Sequence, residues 1–128
     1  MVKLFCAVVG AGKIFSVDVK LSDSVTDAKS KIKKKLPNSD NFDAPLLKLY
    51  MAKVGDAWLK SKDEAIKVLK ENRSSDQINN LTQKHLELDN ADRLRDDECF
   101  GSTFKETGHD IQLLVVYPDG YEFVEYVK

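Results

Sequence analysis

Ile111-Gln112-Leu113-Leu114-Val115-Val116-Tyr117-Pro118 is the most nearly continuous apolar run in the chain, and its reading decides the fold. A short β-branched run of this kind reads as a strand covered on both faces, hence central in its sheet. Asp119-Gly120 follows as a turn, and Tyr121 to Val127 can add an edge strand. A central strand needs neighbours, and the opening of the chain offers them. Val2 to Val9 is short, apolar and rich in β-branched residues, Gly10-Ala11-Gly12-Lys13 interrupts it, and Ile14 to Val19 alternates partly with period two. Two such runs around a glycine turn predict a β-hairpin. Met1 to Gly10 also has the shape of a weak signal peptide, with Lys3, a short apolar run, and Ala7, Gly10 and Ala11 as small residues near a cleavage point. The strand reading is preferred, because it accounts for both apolar runs at once.

Between hairpin and final strand the pattern changes period. Ser22 or Ser24 can cap a helix with Asp27 in its first turn. Val25, Ala28, Ile32 and Leu36 recur at three- and four-residue intervals as one apolar stripe. Lys29, Lys31, Lys33, Lys34 and Lys35 are assigned to the other faces, and Pro37-Asn38 ends the helix. Asn38 to Pro45 is a polar loop. Leu46 to Ala52 reads as a strand with Leu47, Leu49 and Met51 on its core face, leaving Lys48, Tyr50 and Lys53 for recognition. Lys53 to Asp56 is a turn, Ala57-Trp58-Leu59 an apolar return with Trp58 as a core plug, and Lys62 to Leu69 a second helix with Ala65, Ile66 and Leu69 inward. Lys70 to Lys84 is polar and expected to be irregular. Leu86-Glu-Leu88-Asp89 is a short apolar anchor, and Arg93 to Phe100 a helical turn and connector.

Hairpin, helix, strand, short insertion with a small helix, strand is the order of an α+β, β-grasp fold, a mixed sheet crossed by one helix. Ser22-Asp-Ser-Val-Thr-Asp-Ala-Lys-Ser-Lys-Ile32 is similar to the start of the ubiquitin helix. The chain ends Glu125-Tyr-Val-Lys128, without the terminal Gly-Gly that conjugation requires in that family.

Three landmarks make a more specific resemblance. Leu47-Lys48-Leu49-Tyr50-Met51-Ala52-Lys53 resembles the L-x-L-F-L-A-K motif of the Crinkler effectors of oomycete pathogens, with Tyr50 for phenylalanine and Met51 for the second leucine. The opening Met1 to Gly10 and Gly55-Asp56-Ala57-Trp58-Leu59 resemble the family's start and the stretch after its motif. Gln112-Leu113-Leu114-Val115-Val116-Tyr117-Pro118 resembles its closing H-V-L-V-V-V-P, with Gln112 for histidine and Tyr117 for valine. The resemblance implies a non-enzymatic, ubiquitin-like N-terminal delivery domain over residues 1–118, with residues 119–128 as extension or linker start. It further implies secretion, translocation into a host cell (the host nucleus for a full-length effector), and a host or secretion-pathway protein as partner. Residues 47–53 would then be the translocation motif. Physically, the alternation marks that motif as a folding element first.

Composition narrows the alternatives. The chain has 128 residues, 42% hydrophobic and 32% charged, with net charge −1, which predicts one ordinary globular domain and gives no general case for nucleic-acid binding. No stretch approaches a membrane span. Cys6, Cys99, His85 and His109 show no pair at ligand spacing, so no metal or other cofactor is expected, and both cysteines read as buried thiols. Gly10-Ala11-Gly12-Lys13 is not a phosphate loop, since Ala7 and Ile14 stand where that motif needs glycine and Ser or Thr. Asp92, Asp96, Asp97 and Glu98 beside Arg93 and Arg95 suggest surface ion pairs, and no nucleophile with a neighbouring base can be placed, so no enzyme is expected. The five lysines between residues 29 and 35 form a candidate interaction patch, and the edge strand offers a route to self-association. The alternative reading is an intracellular ubiquitin-like adaptor that binds a protein partner through its sheet or edge strand.

Overall fold

The computed structural model describes residues 2–9, 13–36, 42–54, 57–60, 76–83, 86–96, 99–101, 104 and 110–118. In chain order the elements are β1 (Val2–Val8), β2 (Ile14–Val19), α1 (Val25–Lys33), a 3-10 turn (Ala44–Leu46), β3 (Lys48–Met51), β4 (Lys53–Val54), β5 (Ala57–Lys60), α2 (Asp76–Leu81), β6 (Asp110–Ile111) and β7 (Leu113–Val116).

β2, β1, β7 and β3 form a mixed sheet in that order. β1 pairs antiparallel with β2, from Val2 opposite Val19 to Ala7 opposite Ile14, and parallel with β7. The first and last of the described strands are thus central and side by side, as a β-grasp arrangement requires. The expected hairpin stands with β1 closed at Val8, whose N–H donates to the Lys13 carbonyl at 3.0 Å. β4, β5 and β6 make a second, smaller sheet.

α1 takes the second of its two expected caps, Ser24. The Ser24 hydroxyl accepts from the Asp27 N–H at 3.1 Å while the Asp27 carboxylate accepts from the Ser24 N–H at 3.1 Å, so both end groups are satisfied reciprocally. The helix lays Val25, Ala28 and Ile32, with Leu36 beyond its end, on Leu4, Cys6, Val17, Val19, Leu47, Leu49, Leu113 and Val115. Leu94 and Leu88 close this core from the loop side, and Leu88 donates its N–H to the Leu49 carbonyl at the rim of β3.

The opposite face of the sheet is covered too. Ala7, Tyr50 and Leu114 pack there against Leu59 of β5, Ile78 of α2 and Ile111 of β6. α2 corrects the expectation of irregular chain between Lys70 and Lys84, because Ile78 and Leu81, one turn apart, give that polar stretch an inward edge. The expected helix at 62–69 and the edge strand at 121–127 lie outside the described residues.

Candidate functional site

The three motif-bearing segments of the sequence are adjacent strands. Lys48, Leu49, Tyr50 and Met51 of β3 lie opposite Val116, Val115, Leu114 and Leu113 of β7, and β7 lies on β1. The motif at 47–53 and the closing motif at 112–118 are therefore two sides of one ladder.

Both chain segments leave this ladder at the same point. β3 gives way to β4 at Ala52, and β6 gives way to β7 at Gln112, so each passes from one sheet to the other there. The Ala52 N–H donates to the Gln112 carbonyl at 2.9 Å, and the Leu59 N–H donates to the Ala52 carbonyl at 2.9 Å. Ala52 and Gln112 are both fully buried. Gln112 also binds Phe5 with both backbone and side chain. Its N–H donates to the Phe5 carbonyl at 2.9 Å, and its Oε1 accepts from the Phe5 N–H at 2.7 Å. A strand that changes sheets cannot present its next carbonyl to β1, and the Gln112 amide oxygen supplies the missing acceptor. That is the structural reason for a buried polar residue in an otherwise apolar run.

Burial sorts the seven motif residues. Leu47, Leu49 and Ala52 are fully buried and Met51 is half-buried against the helix-side core. Tyr50, expected to face a partner, is only 4% exposed, because β5 and α2 roof the second face. Lys48 is half-buried and Lys53 exposed. Lys53 stands over the Trp58 ring with its ammonium 5.4 Å from the centroid. Trp58 is half-buried rather than a full core plug, with Phe100 at 5.6 Å and Phe104 at 6.0 Å between ring centroids. Lys60 beside it pairs with Asp110 at 2.9 Å.

The lysine patch divides. Lys29 is 1% exposed and does not belong to a solvated face. It sits four residues after Val25 and three before Ile32, on the apolar stripe itself, with its stem in the core and Nζ donating to the Pro45 carbonyl at 3.3 Å. Burial lowers its ammonium below the usual lysine range, against the pull of Glu87 and Asp89. Lys31 pairs with Asp23 at 2.8 Å. Lys33 is half-buried, whereas Lys34 and Lys35 are exposed at the end of α1. The Lys35 ammonium reaches across to the Ser16 carbonyl of β2.

Cys6 and Cys99 are buried thiols not joined in a disulfide, and burial pushes the Cys6 thiol up to about 12, only partly offset by Lys35. A thiol held protonated in the core is no nucleophile. Tyr117, also pushed up to about 12 by burial, packs edge-on against Phe42 at 5.5 Å. In the segment with the expected acidic ion pairs, the Asp96 carboxylate accepts from the Arg93 N–H and the Arg93 guanidinium donates to the Ser22 carbonyl, both at 2.8 Å. These bonds tie the loop to the N-terminal side of α1. They bring no nucleophile and base together.

The family described as Crinkler effector protein N-terminal domain matches residues 2–116, all three landmark strands included. The chain belongs to this Crinkler family. It is 38% identical over 122 residues to Crinkler effector protein 8 of Phytophthora infestans, an alignment covering 94% of this chain and 20% of that protein. Crinkler effector protein 108 of Phytophthora sojae is 54% identical over 65 residues, covering 49% of this chain and 8% of that protein. Crinkler effector protein 4 of Phytophthora capsici is 33% identical over 123 residues, covering 94% and 27%. The chain thus spans about a fifth of the first of these relatives and less of the second. No solved structure matches it.

Proposed function

We propose that this Crinkler domain is the non-enzymatic leading module of a secreted effector, taking a longer protein out of the producing cell and into a host cell, with recognition by its folded surface. The observation that carries this reading is the match over residues 2–116 to an N-terminal domain, on relatives of which the chain covers only about a fifth. A module repeated at one end of much longer proteins serves a task they share, and the chemistry that distinguishes them lies elsewhere. On this reading residues 1–118 form the delivery module and 119–128 an extension or the start of a linker. The partner is a host or secretion-pathway protein.

Burial favours a motif that acts through the folded surface. A receptor reading residues 47–53 as a linear signal would have to extract Leu47 and Leu49, both fully buried. Lys48 and Lys53 remain accessible within the motif. The test is a reporter fusion scored for entry into host cells. The double charge reversal Lys48→Glu with Lys53→Glu should keep the melting temperature and lose entry, whereas Leu49→Ala should lose both. Entry by a fusion carrying residues 47–53 alone would overturn the folded-surface reading. The adaptor alternative is weakened for the sheet face, since β5 and α2 already cover much of it.

A further inference from the structure

We propose that the outer edge of β2 is a strand-addition site that takes an extended, acidic segment of a partner protein. This surface is separate from Lys48 and Lys53, and the inference stands whether or not those lysines serve delivery.

The ladder parity shows what the edge offers. In an antiparallel pair, residues that exchange hydrogen bonds alternate with residues that do not. Val8 bonds to Lys13, and the same register carries Cys6 opposite Phe15 and Leu4 opposite Val17. The N–H and C=O groups of Phe15, Val17 and Val19 therefore face β1, and those of Ile14, Ser16 and Asp18 face away. Lys35 confirms this direction, because its ammonium reaches the Ser16 carbonyl from outside the sheet. β2 is the end strand of the four. Among the described residues, no strand pairs with that outer side. Ile14 and Asp18 offer outward donor and acceptor pairs and Ser16 its outward N–H, the Ser16 carbonyl being held by Lys35, so this strand without proline is a template for another strand that joins or displaces that one lysine contact.

Charge selects the occupant. Exposed Lys34 and Lys35 stand at the end of α1, and exposed Lys20 follows β2. Of the nearby acids, Asp23 accepts from Lys31, and exposed Asp18 stands opposite the cation Lys3 in the hairpin register, so three exposed lysines face one exposed acid along this edge. Lys35 spends one ammonium proton on a neutral carbonyl, which leaves two further donors. A second copy of this chain is the wrong partner. Twofold pairing of β2 with itself presents the same patch to itself and sets the lysines of one protomer against those of the other. An acidic strand meets the same edge with the sign reversed.

The probe is a fluorescein-labelled octapeptide of alternating valine and glutamate, titrated into the full chain by anisotropy, with amide shifts mapped in parallel. Binding should perturb Ile14, Ser16 and Asp18, fall with added salt, and be absent for an alternating valine and lysine peptide. Ser16→Pro removes an N–H that β1 does not use, so the sheet should survive while affinity drops by roughly tenfold or more. Should that variant lose its melting transition, Lys34→Glu with Lys35→Glu decides the matter, and the same loss is expected from it. Equal binding of the lysine peptide overturns the proposal. So do perturbations confined to another surface, no binding of the acidic peptide, or a dimer that Ser16→Pro dissociates.

Discussion

The two faces of the four-stranded sheet are buried by different means. One lies under α1, a continuous amphipathic helix whose stripe, cap and first-turn acid are all local features. The other lies under parts drawn from separate places in the chain: Leu59 of β5, Ile78 of α2 and Ile111 of β6. The difference matters for β3. A strand with one wet face could show a partner every second side chain, whereas β3 buries Leu49 on one side and Tyr50 on the other. The motif that identifies the family is therefore first a part of the core.

Removal of residues 1–10 should have the largest effect. It deletes β1, the strand between β2 and β7, and with it Leu4, Cys6, Ala7 and Val8 from both cores. A chain starting at Ala11 should show neither cooperative unfolding nor dispersed amide resonances. Sharp, dispersed spectra from that truncation would mean that Val2–Val8 is dispensable, and the comparison of faces would collapse with it.

Leu49→Ala and Tyr50→Ala test the faces separately. Leu49 belongs to the helix side and Tyr50 to the other. Truncation of a fully buried leucine costs about 2–5 kcal/mol, and loss of a buried aromatic about 3–5 kcal/mol. Both variants should therefore melt well below the parent in thermal denaturation. If Tyr50→Ala melts with the parent, the second face is not packed, and Tyr50 returns to the candidates for recognition.

Legibility in the sequence divides along the same line. Hairpin, helix cap, stripe and central strand are legible, because each is written in residues a few positions apart. Tyr50 is misplaced by alternation, which says which residues share a face and not whether something distant covers the other one. Lys29 is misplaced by residue type: its spacing from Val25 and Ile32 puts it on the stripe, but a lysine there reads as solvated. The signal for α2 is only Ile78 and Leu81 in a polar stretch, too short a pattern to outweigh its Asn and Ser. Gln112 is legible as a departure from the closing motif. That it bridges two sheets follows from the pairing of Ala52 with it, which no local pattern encodes.

Gln112→Leu should have an intermediate effect. It keeps the backbone bonds to Phe5 and Ala52 and most of the side-chain volume, but deletes the Oε1 that accepts from the Phe5 N–H. A buried donor left without a partner costs about 1–3 kcal/mol. Chemical denaturation should show that loss, and amide exchange at Phe5 should accelerate. A variant as stable as the parent would mean that the Phe5 N–H finds another acceptor, and the sheet-switching role of Gln112 would fail.

The smallest effect is expected away from both faces, at Asp23. Its carboxylate accepts from the Lys31 ammonium at 2.8 Å and from the Lys20 N–H at 3.0 Å. The Lys31 hydrogen bond, first among the causes, holds its carboxyl below the usual carboxylate range, with partial burial opposing it. A carboxyl that ionises more readily in the folded state favours folding wherever it is ionised. That contribution is complete above its unfolded pKa of about 3.9, and is lost as pH falls through the lower folded value. Lys31 is more than a third exposed at its side chain, so solvent screening limits the pair to about 0.2–1 kcal/mol. Asp23→Asn, which keeps an acceptor for the Lys20 N–H, should melt slightly below the parent near neutral pH, and the gap should close as both are taken into acid below that window. A gap that stays constant across the titration would assign the effect to packing of the loop that Asp23 shares with Leu94, whose N–H donates to the Asp23 carbonyl, rather than to the charge.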